Sequence, residues 1–240
     1  MADQLRTAMV LAAGLGKRMR PLTADRPKPL VTVLGRTLLD RVLDRLVEGG
    51  VERAVVNVHY MGDQIIEALA GRDMPQIEIS DERNELLDTG GGVKKALPLL
   101  GDDAFFVQNS DSIWLDGPES ALEQMRASFD PDRMDGLLLL AQTTTSTGYD
   151  GRGDFSMTPD GMIERRIEHG VVPFVFSGLS IAHPRLFDGA PEGAFSLNEV
   201  WNRAIDAERL YGVRLQGRWM HVGSPLGLSE AETLLTSLDA

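Results

Sequence analysis

A chain of 240 residues with net charge −12, 42% hydrophobic and 25% charged, has the make-up of one sizeable globular domain with a large core. It holds no cysteine, which rules out disulfides, thiolate zinc sites and a cysteine nucleophile, and its acidity argues against nucleic acid as a partner. No apolar run is long enough to span a membrane, and the stretch Ala8 to Ala13 is too short for a signal-peptide core, so a cytoplasmic protein without a membrane partner is expected.

Thr7 to Ala12 reads as a buried strand, short, apolar and ended by glycine. Leu30 to Leu34 reads as a short extended piece after Lys28-Pro29. Thr37 can cap a helix whose Leu38, Leu39, Val42, Leu43, Leu46 and Val47 share one face, and Gly49-Gly50 stops it. Arg53 to Val58 is a strand, Asp63 to Leu69 a helix, and Gln76 to Ser80 a strand. A helix over Gly91 to Leu99, a strand over Ala104 to Gln108, a helix over Pro118 to Phe129 and a strand over Gly136 to Gln142 follow. Strands alternating with helices predict an α/β fold, a doubly wound, mostly parallel sheet with helices on both faces.

The texture changes after Thr143. Thr143 to Thr147 is a polar loop, and Phe155 to Ile167 a hairpin turning at Pro159-Asp160-Gly161. Phe174 to Ile181 is a strand and Leu197 to Ala207 a helix. Leu210 to Gln216 and Arg218 to Val222 are strands, and Ser224 caps a last helix reaching about Leu238. This second half is expected as a lobe packed against the sheet edge.

One stretch reverses the charge of the chain. Between Gly14 and Lys28 stand Lys17, Arg18, Arg20, Arg26 and Lys28, against the single acid Asp25. Glycine lets backbone N–H groups approach an anion, while Arg and Lys hold phosphate oxygens. The stretch therefore points to a phosphate site, with a solvated basic loop as the competing reading. It is not a P-loop, because Gly16-Lys17 is followed by Arg18 rather than Ser or Thr. It is not a dinucleotide fingerprint either, because Met19 stands where a third small residue is required. In a parallel sheet, ligands sit at the carboxyl ends of strands. Both this loop and Asp111 follow predicted strands directly.

Leu11-Ala-Ala-Gly-Leu-Gly-Lys-Arg-Met-Arg-Pro-Leu-Thr, continued by Arg26-Pro-Lys-Pro-Leu, resembles the signature of the sugar-phosphate nucleotidyltransferases. Asp88-Thr89-Gly90-Gly91-Gly92, Asn109-Ser110-Asp111 and Trp219-Met220-His221-Val222-Gly223 lie in the order that family has, so the resemblance covers nearly the whole chain. It implies a Rossmann-like sheet of the nucleotidyltransferase type, a nucleotide-binding half over about residues 1–143 and a small sugar-binding lobe over about 144–240, within one domain. It also implies transfer of a nucleotidyl group from a nucleoside triphosphate to a sugar 1-phosphate, with release of pyrophosphate. The segments Gly151-Arg-Gly-Asp-Phe and Phe176-Ser-Gly look most like the N-acetylmuramate-1-phosphate uridylyltransferases of cell-wall recycling, which would make UTP the donor. A mannose- or glucose-1-phosphate nucleotidyltransferase is the rival within the class, and a catalytically weak sugar-nucleotide binding protein the rival outside it.

The resemblance also implies roles for single residues. Leu11, Ala12, Ala13, Gly14, Gly16 and Lys17 would hold the nucleotide, with Asn109 beside them. Arg18 would bind the departing phosphates and Lys28 the reacting α-phosphate, with the alternative that Lys28 is an exposed lysine in a proline loop. Glu85, Gly90 and Gly91 would meet the base. Gly153, Asp154, Gly178 and Asn198 are the sugar candidates, since glycines allow close approach and Asp and Asn pair with hydroxyls. Asp111 would hold Mg²⁺, with Mn²⁺ as the alternative ion, because one carboxylate plus phosphate oxygens and waters makes a normal Mg²⁺ shell. His221 stands where many members carry a second metal-binding Asp. Asp111 alone can suffice, His221 can serve a phosphate or Mn²⁺, or turnover can be weak, and these three readings stay open. The oligomeric state is not encoded in any of these motifs.

Overall fold

Strand β1 (Thr7–Leu11) explains the architecture. Ala8 and Val10 point to one side of the sheet and Met9 to the other, and all three are fully buried, so both faces must be covered. The computed structural model describes residues 5–238. After β1 come the short hairpin β2 (Thr32–Val33) and β3 (Arg36–Thr37), then α1 (Leu38–Glu48), β4 (Arg53–Val58), α2 (Gly62–Leu69), β5 (Gln76–Asp81), α3 (Asp88–Leu100), β6 (Phe105–Asn109) and β7 (Ser112–Leu115). The chain goes on through α4 (Ala121–Ser128), β8 (Gly136–Gln142), β9 (Phe155–Met157), β10 (Ile163–Arg165), β11 (Phe174–Ala182), α5 (Leu197–Asp206), β12 (Leu210–Arg214), β13 (Arg218–His221) and α6 (Pro225–Leu238).

Nine strands form the main sheet among the described residues. Its parallel part runs β5-β4-β1-β6. From β1 the chain moves outward to β4 and β5, then α3 carries it back across the opposite face to β6. The order therefore reverses between β1 and β6, and a crevice opens there at the strand ends. Helices α1, α2 and α4 cover one face, where Leu39, Val42, Leu43 and Leu46 of α1 are buried against Val10 and Val56. Helices α3 and α5 cover the other, around Met9, Val55 and Val107. Burying each such aliphatic side chain is worth about 1.5–3 kcal/mol, so the two layers fix the sheet from both sides.

Local signals in the sequence produce most of these boundaries. Thr37 Oγ1 accepts from the Asp40 amide at 3.0 Å and caps α1, and Gly50 turns the chain out at φ 80°. Ser224 Oγ accepts from the Gly227 amide at 3.1 Å at the start of α6. The expected hairpin forms as β9 and β10 around the turn at Thr158–Gly161.

Several elements depart from expectation, among them α3, which starts at Asp88 rather than Gly91. Lys28–Leu30 winds into a single 3-10 turn, so the extended piece after it shrinks to Thr32–Val33. Helix α4 begins at Ala121 rather than Pro118, because the Asp116 carboxylate accepts from the Ala121 amide at 3.0 Å and fixes the start there. Ser112–Leu115 is a strand, β7, paired antiparallel with β13. The second half is also not confined to the sheet edge. Its strand β11 lies between β6 and β8, antiparallel to both, and β12 pairs parallel with β8. No helix among the described residues is long and apolar enough to cross a membrane.

Candidate active site

The crevice between β1 and β6 is a cleft of about 560 Å³. One wall is the loop after β1. The chain turns at Gly16, with φ 60°, into a 3-10 turn over Lys17–Met19. Met19 is fully buried and anchors that turn, which leaves Lys17 and Arg18 exposed at the cleft. A Cβ on Gly16 would lie 3.1 Å from the Lys28 Cβ, so the first loop and the lysine loop pack directly. Thr23, itself buried, holds them by donating from Oγ1 to the Gly16 carbonyl at 2.9 Å.

Lys28 and Asp111 meet across the cleft mouth. Lys28 Nζ donates to Asp111 Oδ2 at 2.6 Å, with the two side chains only 13% and 20% exposed. Burial works against ionising Asp111, but the charges of Lys28, His221 and Arg18 and the Lys28 hydrogen bond outweigh it and hold the carboxyl below its ordinary range. Asp111 is thus an anion at neutral pH, and its Oδ1 carries no hydrogen bond among the described residues. A hard anionic oxygen beside a nucleotide-sized cleft lined by basic residues fits a Mg²⁺ ligand.

His221 stands next to this pair on β13. Its ring stacks on Trp219 with centroids 5.7 Å apart, and a Cβ on Gly223 would lie 2.2 Å from its Nε2. The Val222 amide donates to the Asp111 carbonyl at 3.0 Å, which ties β13 to the metal-ligand candidate. Burial pushes the imidazole below its usual value, Asp111 pulls the other way, and Lys28 and Arg18 push it further down. His221 is therefore neutral at pH 7. No group of three or more His, Asp or Glu side chains that could cage a metal occurs among the described residues.

The structure brings together most of the expected nucleotide and catalytic residues. Leu11, Ala12, Ala13, Gly14, Gly16, Lys17, Arg18, Lys28, Asn109 and Asp111 all line the cleft. Others do not. The amides of Gly90 and Gly91, in the first turn of α3, donate to the Phe195 carbonyl at 2.8 and 3.1 Å. A Cβ on Gly91 would sit 2.2 Å from the Gly193 carbonyl oxygen. Their lack of side chains lets α3 dock on the 193–195 segment. Glu85 also lies outside the cleft lining.

Of the sugar candidates, Gly153, Asp154 and Gly178 sit in the β9–β11 region and Asn198 in α5; none of the four is part of the cleft lining, although a Cβ on Gly178 would lie 3.2 Å from the Cβ of Asn109, which is. Gly153, at φ 80°, has the Val172 carbonyl where a Cβ would be, and Gly178, at φ 94°, fits against Ser112 at the bulge of β11. Asp154 Oδ2 accepts from the Phe176 amide at 3.0 Å. Asn198 Oδ1 accepts from Arg165 at 2.7 Å.

Asn57, which lines the cleft, escaped the sequence reading. Asn57, buried in β4, accepts from the Ala12 amide at 2.7 Å and donates to Glu82 Oε1 at 2.7 Å. It fixes the start of the loop after β1. Glu82 is 1% exposed, and burial raises its carboxyl above the ordinary value against the opposing hydrogen bonds of Asn57 and Leu87. A lone polar residue in an otherwise apolar central strand was the available signal. Thr89, of the motif that opens α3, lines the cleft too, and its Oγ1 accepts from the Leu197 amide at 3.0 Å, joining the cleft lining to the start of α5.

A basic loop at the switch point, a lysine–carboxylate pair and a cleft of this size suit a nucleoside triphosphate. Comparison with known proteins agrees. The family model described as "Nucleotidyl transferase" matches residues 7–150. The chain is 46% identical over 239 residues to the N-acetylmuramate alpha-1-phosphate uridylyltransferase of Caulobacter vibrioides, covering 98% of this chain and 99% of the relative. It is 36% identical over 230 residues to the protein of the same name from Neisseria meningitidis serogroup B, covering 95% and 97%. Among solved structures, HddC from Yersinia pseudotuberculosis complexed with GMP-PN superposes with a TM-score of 0.77 at 22% identity, covering 96% and 100%, which shows the shared fold. With the fold, the basic loop after β1 and near-full-length relatives in agreement, the chain belongs to the nucleotidyl transferase family.

Proposed function

We propose that the protein transfers the uridylyl group of UTP to N-acetylmuramate 1-phosphate and releases pyrophosphate. The observation that carries the reaction is the contact of Lys28 with Asp111 at the end of β6, facing the basic loop after β1. The two relatives named above support the choice of substrates.

In this reading an oxygen of the sugar phosphate attacks the α-phosphorus in line. The bond from α-phosphorus to the bridging oxygen breaks, and pyrophosphate leaves with that electron pair. No covalent enzyme intermediate is required, so the protein contributes placement and charge compensation. The backbone of Ala12 to Gly16 holds the nucleotide, with Asn57 fixing the Ala12 amide. Lys17 and Arg18 take the β- and γ-phosphates. Lys28 lies between the α-phosphate and the incoming sugar phosphate and offsets their repulsion. Asp111, with its free Oδ1, would hold Mg²⁺, which when bound neutralises phosphate charge. One carboxylate with phosphate oxygens and waters is enough for that ion, so His221 acts as a neutral wall rather than as a ligand.

A matrix of triphosphates against sugar 1-phosphates, read by pyrophosphate release with Mg²⁺ and with Mn²⁺, tests the reading. The highest kcat/KM is expected for UTP with N-acetylmuramate 1-phosphate. A clear preference for another pair, such as GTP with mannose 1-phosphate, would replace the substrates. Triphosphate binding without any pyrophosphate release would replace the enzyme by a binding protein.

A further inference from the structure

Arg165, at the end of β10, is a half-buried cation without an acidic partner. Its guanidinium lies over the Phe155 ring, 4.7 Å from the centroid. Its Nε donates to Asn202 Oδ1 at 2.8 Å and one Nη donates to Asn198 Oδ1 at 2.7 Å. Both asparagines belong to α5. The Asn198 amide nitrogen donates to Ser196 Oγ at 3.2 Å, which turns its oxygen toward the arginine. The other amino group of Arg165, Nη1, has no partner among the described residues, and the side chain forms no ion pair there.

A guanidinium partly drawn from water is commonly met by a carboxylate or phosphate, and here it is met by neutral amide oxygens and an aromatic face. Burial lowers the Arg165 pKa from its ordinary value, against the charge of Asp154, and that carboxylate is itself engaged by the Phe176 amide. The fork is held rigid from two sides, which suits recognition of a planar anion. Its place is also defined. Leu197, beside Asn198, donates its amide to Thr89, which lines the cleft, so the first turn of α5 carries both that contact and the asparagine that orients the arginine.

We infer that Arg165, oriented by Asn198 and Asn202, is a specificity-determining subsite for a carboxylate carried by the sugar 1-phosphate. The inference rests on the substrate reading above. N-acetylmuramate differs from N-acetylglucosamine by a lactyl ether that ends in a carboxylate. The phosphate end of such a substrate is served by Lys28, and Arg165 is a second cation, in the other half of the chain, for its second anion.

The test compares N-acetylmuramate 1-phosphate with its lactyl methyl ester, a neutral near-isostere, in wild type, Arg165→Gln and Asn202→Asp. The second variant leaves Arg165 in place and offers it a competing carboxylate. A hydrogen bond to a charged group sets the scale, so wild type is expected to prefer the free acid by about tenfold or more in kcat/KM. Both variants should bring that ratio toward one by raising KM for the acid, and Arg165→Lys should restore part of it. An acid-to-ester ratio that stays unchanged in the variants, or is already near one in wild type, overturns the inference while leaving the reaction standing. Wild type inert toward both compounds overturns the substrate reading and this inference together. Should Arg165→Gln not fold, the Asn202→Asp ratio decides.

Discussion

Lys28 Nζ and Asp111 Oδ2 stand 2.6 Å apart although 83 residues separate them in the chain. The contact closes the switch-point crevice from both sides, one partner from the loop after β1 and the other from the end of β6. The lysine helps hold the Asp111 carboxyl ionised in a partly buried place. Lys28→Ala and Asp111→Asn should each lower kcat by about 10²-fold or more, since each removes charge compensation at the reacting phosphorus. Lys28→Ala also leaves a carboxylate with no direct partner, at a cost of about 1–3 kcal/mol, so its melting temperature should drop by several degrees without loss of the fold. Steady-state kinetics and thermal melts of both variants check this, and near-normal turnover would remove the residue from the mechanism.

Asn57 spends both ends of its amide, on the Ala12 N–H and on Glu82. Asn57→Ala leaves a buried amide and a buried carboxyl oxygen without that partner. It should cost about 2 kcal/mol in urea denaturation and raise KM for the triphosphate more than KM for the sugar phosphate. Equal effects on the two KM values would show that Asn57 serves only the core.

Gly14 and Gly91 belong to adjoining motifs, and their alanine variants should behave oppositely. A Cβ at Gly14 meets nothing within 4 Å, and Gly14 itself lines the cleft. Gly14→Ala should keep its melting temperature and raise KM for the triphosphate. A Cβ at Gly91 would stand 2.2 Å from the Gly193 carbonyl, so Gly91→Ala should lose about 1–3 kcal/mol despite alanine's better helix propensity. Thermal melts and triphosphate KM values of both proteins separate the two roles.

The pH dependence of stability carries two opposite signs. His221 titrates below its usual 6.5 in the fold, so the unfolded chain takes up its proton first. Stability from this residue is complete above pH 6.5 and falls as pH drops through the lowered value. Glu82 titrates above its usual 4.5, so its contribution is complete below that pH and is lost as pH rises through the raised value. Denaturation curves against pH should show the acid-side loss diminished in His221→Gln and the loss on raising pH diminished in Glu82→Gln.

The strands and helices that place the cleft are legible in the sequence because their signals are local. Thr37 and Gly50 bound α1, and the alternation of Ala8, Met9 and Val10 marks a strand covered on both faces. The basic loop is legible through its charge, against an acidic chain. What escapes depends on distant partners. Strand β7 is four residues long and exists because β13 pairs with it. Gly90 and Gly91 look like a backbone opened for a base, but the group that approaches them is Phe195, which only the folded chain brings near. Arg165 looks like a surface charge in a hairpin until α5 supplies the two oxygens that orient it.

Strand β11 comes from the second half of the sequence yet fills the gap between β6 and β8. A polypeptide severed near residue 143 would therefore yield a first fragment with two raw edges facing an empty slot, and a second fragment whose β11 keeps only its short pairing with β9 at Phe174 and Phe155. Neither piece has a complete sheet of its own. Mixed together, they amount to a lock-and-key pair, in which recovery of activity reports the threading of one strand into its slot.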